Sequence, residues 1–197
     1  MIITVASYKG GVGKTTTAVH LAAYLQQKAP TLLIDGDQNR SASGWARNGN
    51  LPFRVVDERL AARFSRDFEH VVIDTEARLD QEDLAALVGG GDLLVIPTTP
   101  DALSLDALNL TIGALKDLGA ERYRVLLTIV PPPPSRDGED ARTALLSQNV
   151  PLFTAEVPRL VAFSKAALAG VVVSNASDPR AARAWEAYEA VGKEILS

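Results

Sequence analysis

Ser7-Tyr8-Lys9-Gly10-Gly11-Val12-Gly13-Lys14-Thr15-Thr16-Thr17, "SYKGGVGKTTT", follows the apolar run "IITVA" and leads into "TAVHLAAYL". It nearly matches the phosphate-cradling pattern G-x-x-x-x-G-K-[ST], but Tyr8 holds the place of the first glycine and an additional lysine, Lys9, sits beside it. The apolar run reads as a strand and the following segment as a helix, so the glycines fall where a strand-loop-helix anion site requires them. Gly10, Gly11 and Gly13 let successive backbone N–H groups turn inward around an anion, and the helix N-terminus adds its partial positive charge. Lys14 would reach the β and γ phosphates, and the Thr15 hydroxyl would ligate Mg²⁺. A glycine-rich turn that binds nothing is the bland alternative, and the complete pattern in this context argues against it.

Outward from the loop, short Val/Ile/Leu-rich runs alternate with stretches of helical period. The strands are expected at Ile2 to Ala6, Thr31 to Asp35, Val71 to Asp74, Leu93 to Pro97, Val125 to Val130 and Leu152 to Glu156, with a weaker one at Arg54 to Val56. Several are apolar throughout, as strands buried on both faces should be. Helices are expected over Lys14 to Gln27, Ser41 to Arg47, Leu60 to Ser65, Gln81 to Val88, Ser104 to Leu118, Gly138 to Ser147, Arg159 to Leu168 and Pro179 to Leu196. This alternation predicts an α/β fold: a single-domain, doubly wound, mostly parallel sheet flanked by helices over residues 1–197. Trp185, Tyr188, Val191 and Ile195 form one stripe of the last helix, read as packing against the sheet.

Composition narrows the chemistry. The 197 residues contain no cysteine, which excludes disulfides, iron-sulfur clusters and a cysteine nucleophile, and only His20 and His70 are available as histidine ligands. With 20 Lys plus Arg against 24 Asp plus Glu the net charge is -4, so a globally basic nucleic-acid binder is excluded while a local basic patch is not. The N-terminus lacks a secretion signal and no apolar run approaches the ~18 residues of a membrane helix, so a cytoplasmic protein is expected.

Two acidic strand ends accompany the loop. "LLIDGD" places Asp35 and Asp37, and "VVIDT" places Asp74, at the carboxyl edge where open α/β sheets bind ligands. Asp74 suits the role of orienting a magnesium-bound water, and Asp35 and Asp37 are expected to do different jobs.

Together "KGGVGKTTT", "LLIDGDQNRSASGWA", "VVIDT" and "LLVIPTTPDALSLDAL" resemble the ParA group of deviant Walker ATPases, with a weaker likeness in "VPRLVAFSKAALAGVVV". The resemblance implies a P-loop NTPase that uses ATP and Mg²⁺. Lys9, Lys14 and Asp37 would carry catalysis, with Lys9 reaching the phosphates of a second subunit so that ATP is sandwiched in a homodimer. An ammonium contact to a desolvated phosphate is worth roughly 2 to 5 kcal/mol, enough to move a dimer equilibrium more than tenfold. By the same resemblance the nucleotide would be bound by Lys9, Gly10, Gly11, Val12, Gly13, Lys14, Thr15 and Thr16, and the metal by Thr15, Asp35 and Asp74. Asp37 would position the attacking water.

Two departures stand out. The family's D-x-D-P-Q is here Asp37-Gln38-Asn39 without the proline, and "TIVPPPPSRD" replaces an adenine-reading asparagine with prolines, leaving backbone carbonyls or stacking to hold the base. The implied partners are nonspecific nucleoid DNA and a ParB-like or cargo adaptor protein that stimulates hydrolysis, with no membrane. Arg159, Lys165, Arg180, Arg183 and Lys193 are the candidate phosphate contacts, although Glu186, Glu189 and Glu194 share the last helix. Two other readings stay open: a ligase of the dethiobiotin-synthetase type and a MinD-like ATPase at the membrane surface, the latter disfavoured by the acidic tail "EAVGKEILS".

Overall fold

A computed structural model describes residues 1–77 and 81–197. Six strands, β1 (Ile2–Ser7), β2 (Thr31–Gly36), β3 (Arg54–Asp57), β4 (His70–Ala77), β5 (Leu93–Thr98) and β6 (Tyr123–Leu127), form one sheet in the order β3-β2-β4-β1-β5-β6. Every pairing is parallel. Among the described residues eight α-helices connect and follow them: α1 (Lys14–Gln26), α2 (Ser41–Asn48), α3 (Ala61–Phe64), α4 (Gln81–Gly90), α5 (Ala102–Asp117), α6 (Asp137–Ser147), α7 (Val161–Ala169) and α8 (Ala181–Leu196).

The strand residues explain why both faces are covered. Ile3, Val5, Leu33, Val72, Val95 and Leu126 point into a core shared with α1, α2, α7 and α8. Their neighbours in sequence, including Leu94, Ile96, Val125 and Leu127, point the other way into a second core with α4, α5 and α6. Alternation on a strand with apolar residues at every position buries both sides. α1 is buried without a break from Thr17 to Leu25, because α8 covers the flank that the sheet leaves.

Because β1 lies inside the sheet, with β2 reached on one side and β5 on the other, the carboxyl ends of β1, β2 and β4 open on a common crevice. The loop after β1 and the segment after β2 both empty into it.

One expected strand does not form. Residues 152–156 run beside β6 but form only one isolated bridge with it, Val125 with Leu152; a second, Val130 with Pro158, lies beyond both segments. The Glu194 carboxylate of α8 takes the Thr154 and Ala155 N–H groups at 2.9 and 2.7 Å, which removes the donors a regular ladder needs. The expected helix at Leu60 to Ser65 is a single α turn between two 3₁₀ turns, Glu58–Leu60 and Ser65–Asp67.

Candidate phosphate-binding site

Gly13 caps α1 with φ 84°, and no side chain caps the first turn, which also lacks any acidic residue. Those N–H groups and the helix dipole are therefore free to meet an anion. Gly11 also has a positive φ of 81°, and a Cβ built on Gly10 or Gly11 would meet nothing within 4 Å, so the loop borders open space. A cavity of about 430 Å³ lies there. Gly10, Gly11 and Gly13 to Thr16 line it from the loop, Asp37, Asn39 and Ser41 from the segment after β2, Ala77 from the end of β4 and Ile129 from beyond β6.

Below the loop, Asp74 is fully buried and neither carboxylate oxygen has a hydrogen-bond partner. Burial pushes its pKa up to about 7; the Thr15 hydroxyl opposes this without closing a formed bond, Asp35 reinforces it and Lys14 works against it. An orphaned buried carboxylate beside an uncommitted threonine hydroxyl fits a hard divalent cation. Among the described residues no three His, Cys, Asp or Glu side chains group as a metal site, so an ion here would take its remaining ligands from phosphate and water. Burial also lowers the Lys14 pKa, while Asp74 and Asp37 pull it back up. A polyanion entering the cavity would favour the charged ammonium.

Asp35 and Asp37 do separate work. Asp35 is buried, and its two oxygens accept from Asp37 N at 3.3 Å and Ser43 N at 2.8 Å, so it organises the segment and stands one step back from the cavity. Asp37 lines the cavity; its Oδ1 accepts from Asn39 N and Nδ2, and its Oδ2 from the Ser41 hydroxyl at 2.9 Å. Arg40, at φ 54°, takes the turn that follows Asp37 and ties it down by an ion pair to Asp57 at 2.7 Å.

Lys9 and Val12 lie off the cavity wall. Val12 is buried, and its carbonyl accepts from the Thr128 hydroxyl at 2.8 Å. Lys9 Nζ donates to Asp101 Oδ1 at 3.0 Å and Ser104 Oγ at 2.7 Å, at the start of α5. Asp101 also caps α5 through Ser104 N at 3.0 Å and accepts from the Ser104 and Thr99 hydroxyls, which holds its carboxyl well below the usual carboxylate range. The sequence alone starts this helix at Ser104; the Asp101 cap and its pairing with Lys9 are seen only in the fold.

A second cavity, of about 290 Å³, shares Gly13, Thr16 and Ile129 with the first and continues between Pro158, Phe163 and Tyr188. Its walls are more apolar than those of the first, and it opens from the helix end of the loop.

A family model described as the CobQ/CobB/MinD/ParA nucleotide binding domain matches residues 3–173. The chain belongs to that family. Among its relatives in the CobQ/CobB/MinD/ParA family is the maintenance of carboxysome distribution protein A of Gloeobacter kilaueensis, 37% identical over 201 residues covering 98% of this chain and 93% of the relative. Protein ParA of Rhizobium radiobacter is 29% identical over 178 residues, covering 83% of this chain and 80% of that protein. The fold is also that of a Cyanothece McdA variant solved with ATP, with a TM-score of 0.75, 20% identity and coverage of 97% and 96% of the two chains. MinD of Aquifex aeolicus superposes with a TM-score of 0.77 at 16% identity, covering 99% and 96%. This family membership places the glycine loop, Asp74 and the β2 carboxylates in a nucleotide-binding domain.

Proposed function

We propose that this chain is a ParA-like, Mg²⁺-dependent ATPase that forms an ATP-sandwich dimer, binds DNA nonspecifically and positions a plasmid, chromosome or other cargo through partner-stimulated hydrolysis. The observation that carries the reading is the pairing of an uncapped glycine loop with the orphaned Asp74 carboxylate beneath it. The likeness to a carboxysome distribution protein and to ParA supports the positioning role.

The loop N–H groups and Lys14 would hold the β and γ phosphates. Thr15 and Asp74 would hold Mg²⁺, which when bound neutralises phosphate charge. Asp37, with Oδ2 steadied by Ser41 and Oδ1 by Asn39, would orient the attacking water and accept its proton. The base would enter the 290 Å³ cavity, where Phe163, Pro158 and Tyr188 offer apolar and aromatic surface in place of an asparagine edge. Lys9 would leave Asp101 and Ser104 to reach a neighbour's phosphates, offsetting charge that a buried nucleotide cannot carry unpaired.

Of the candidate DNA contacts, Lys165 and Arg180 are both paired with Asp178, at 2.9 and 3.7 Å. Arg159, Arg183 and Lys193 are exposed and are the better candidates. No helix among the described residues is long and apolar enough to cross a membrane. The test is retention of the protein on DNA with ATP, ADP or no nucleotide at two salt concentrations. ATP-dependent, salt-sensitive retention on any sequence is expected; equal retention in all three states would remove the DNA-binding switch from the proposal.

A further inference from the structure

His20 lies on the buried face of α1 and is fully enclosed. The Val173 backbone N–H donates to its Nε2 at 3.1 Å, so that nitrogen is a bare acceptor. The proton therefore sits on Nδ1, which donates to the Thr16 carbonyl at 2.7 Å. Both ring nitrogens of a neutral imidazole are thus satisfied, and burial lowers the pKa to about 4.

The ring contacts join elements that are far apart in sequence. Tyr188 stacks on His20 at 4.8 Å between centroids, while Phe163 and Trp45 meet it edge-on at 5.4 and 5.6 Å. Phe163 and Tyr188 wall the smaller cavity, and the Tyr188 hydroxyl is 3.0 Å from that of Thr17. On the far side, Trp45 belongs to α2, whose first residue, Ser41, holds Asp37. His20 is the shared neighbour of the cavity wall and the helix that seats Asp37.

The opposite end of α2 is fixed to α7 by backbone contact. A Cβ on Gly49 would lie 2.4 Å from the Ala169 carbonyl oxygen, and one on Gly170 would lie 2.2 Å from Gly49 N. Trp45 Nε1 donates to the Val171 carbonyl at 3.0 Å. With no side chain between them, α2 and α7 cannot slide apart without losing that bond. A ring entering the cavity presses on Phe163 of α7 and Tyr188 of α8, and a close-packed interior passes such a displacement on to its neighbours.

We propose that His20 is a positioning residue that links occupancy of the smaller cavity to the seating of Asp37, so that a complete nucleoside triphosphate is hydrolysed faster than a bare polyphosphate. The link rests on the assignments of that cavity to the nucleobase and of Asp37 to the attacking water. Energy from a part of the substrate remote from the bond being cleaved would then appear in kcat as well as in affinity.

The test compares Mg-ATP with Mg-tripolyphosphate by phosphate release, calorimetry and the emission of Trp45 in a Trp185→Phe background. The wild type should turn over ATP at least about tenfold faster, and Trp45 emission should change with ATP alone. His20→Leu should lower kcat for ATP to about the tripolyphosphate value, change the ATP Kd by less than about threefold, and leave tripolyphosphate turnover unaltered. Trp45→Phe, which keeps an aromatic edge but loses the bond to Val171 and part of the ring's bulk, should show the same split and serves if His20→Leu does not fold. A preference for ATP that survives both substitutions, or an equal loss on both substrates, overturns the link alone. Equal binding and turnover of the two substrates by the wild type overturns the cavity assignment, and the link with it.

Discussion

Asp101→Asn isolates the resting contact of Lys9. Lys9 Nζ lies 3.0 Å from Asp101 Oδ1 and 2.7 Å from Ser104 Oγ, with the two charged side chains 32% and 52% exposed. An ion pair that wet is screened, so with its accompanying hydrogen bond it is worth about 1 kcal/mol per protomer. A sandwich dimer that recruits both lysines breaks two such contacts, so removing the carboxylate charge should tighten the dimer by about 2 kcal/mol, or about 30-fold. Asparagine retains an acceptor for the Ser104 N–H and is as good an N-cap as aspartate, so the start of α5 should be preserved. The assay is sedimentation equilibrium with Mg²⁺ and a non-hydrolysable ATP analogue, on wild type, Asp101→Asn, Lys9→Ala and the double variant. The gain should shrink as salt rises and vanish when Lys9 is absent. A dimer constant within about threefold of wild type, or a gain that persists without Lys9, would refute the reasoning.

Lys14→Ala should weaken ATP binding by about 100-fold or more in calorimetry, since it removes the cation beside the phosphates. Asp37→Ala should cut phosphate release about 100-fold while the ATP-bound dimer accumulates on size exclusion; turnover near wild type would count against its role. Gly170→Ala should lower the melting temperature by about 4–8 °C, reflecting a penalty of about 2 kcal/mol where the new Cβ meets Gly49 N at 2.2 Å and φ is +68°. Between about pH 4 and 6.5 the His20 and Asp74 windows oppose each other, so stability should change less steeply with pH than the lowered His20 and His70 alone would make it. His20, lowered from 6.5 to about 4, loses stability as pH falls, since only the unfolded chain takes up that proton; Asp74, raised from 3.8 to about 7, loses it as pH rises, since only the folded chain retains that one. Asp74→Asn should steepen the rise of stability with pH by about 1.4 kcal/mol per pH unit in denaturant titrations, and a slope unchanged from wild type would contradict the linkage.

The legible parts of the sequence are those whose causes are local. Strand runs such as Leu32 to Ile34 declare themselves because both faces are buried, and Gly13 announces a helix start because its position needs a positive φ. The strand expected at residues 152–156 failed because its backbone donors are claimed by Glu194, about forty residues further on, and no local propensity encodes that competitor. The helix expected from Ser104 begins at Ala102 because Asp101 caps it. Lys9 could be picked out as an anomaly of the loop, but its partners lie more than ninety residues away across the sheet edge. His20 could be set aside as a metal ligand by composition alone; that it faces four aromatic rings from three helices is a consequence of how α2, α7 and α8 converge on α1.

The two side chains that most define the site, Asp74 and Lys9, differ in how they are held. Asp74 is buried and neither of its oxygens has a hydrogen-bond partner, an arrangement that by itself costs stability. Lys9 has a partner, but one partly exposed to water and therefore weak enough to exchange. A buried orphan favours any ligand that brings positive charge, and on the proposed function Mg²⁺ with a nucleotide would bring it together with phosphates for the loop and Lys14. In the proposed dimer those phosphates would add a concentration of negative charge that competes with Asp101 for the Lys9 of the protomer opposite. On the proposed function, metal binding at Asp74 and release of Lys9 would be successive consequences of loading one cavity. Asp101→Asn should alter only the second of them, leaving the Mg²⁺ dependence of nucleotide affinity in the monomer unchanged while it tightens the dimer.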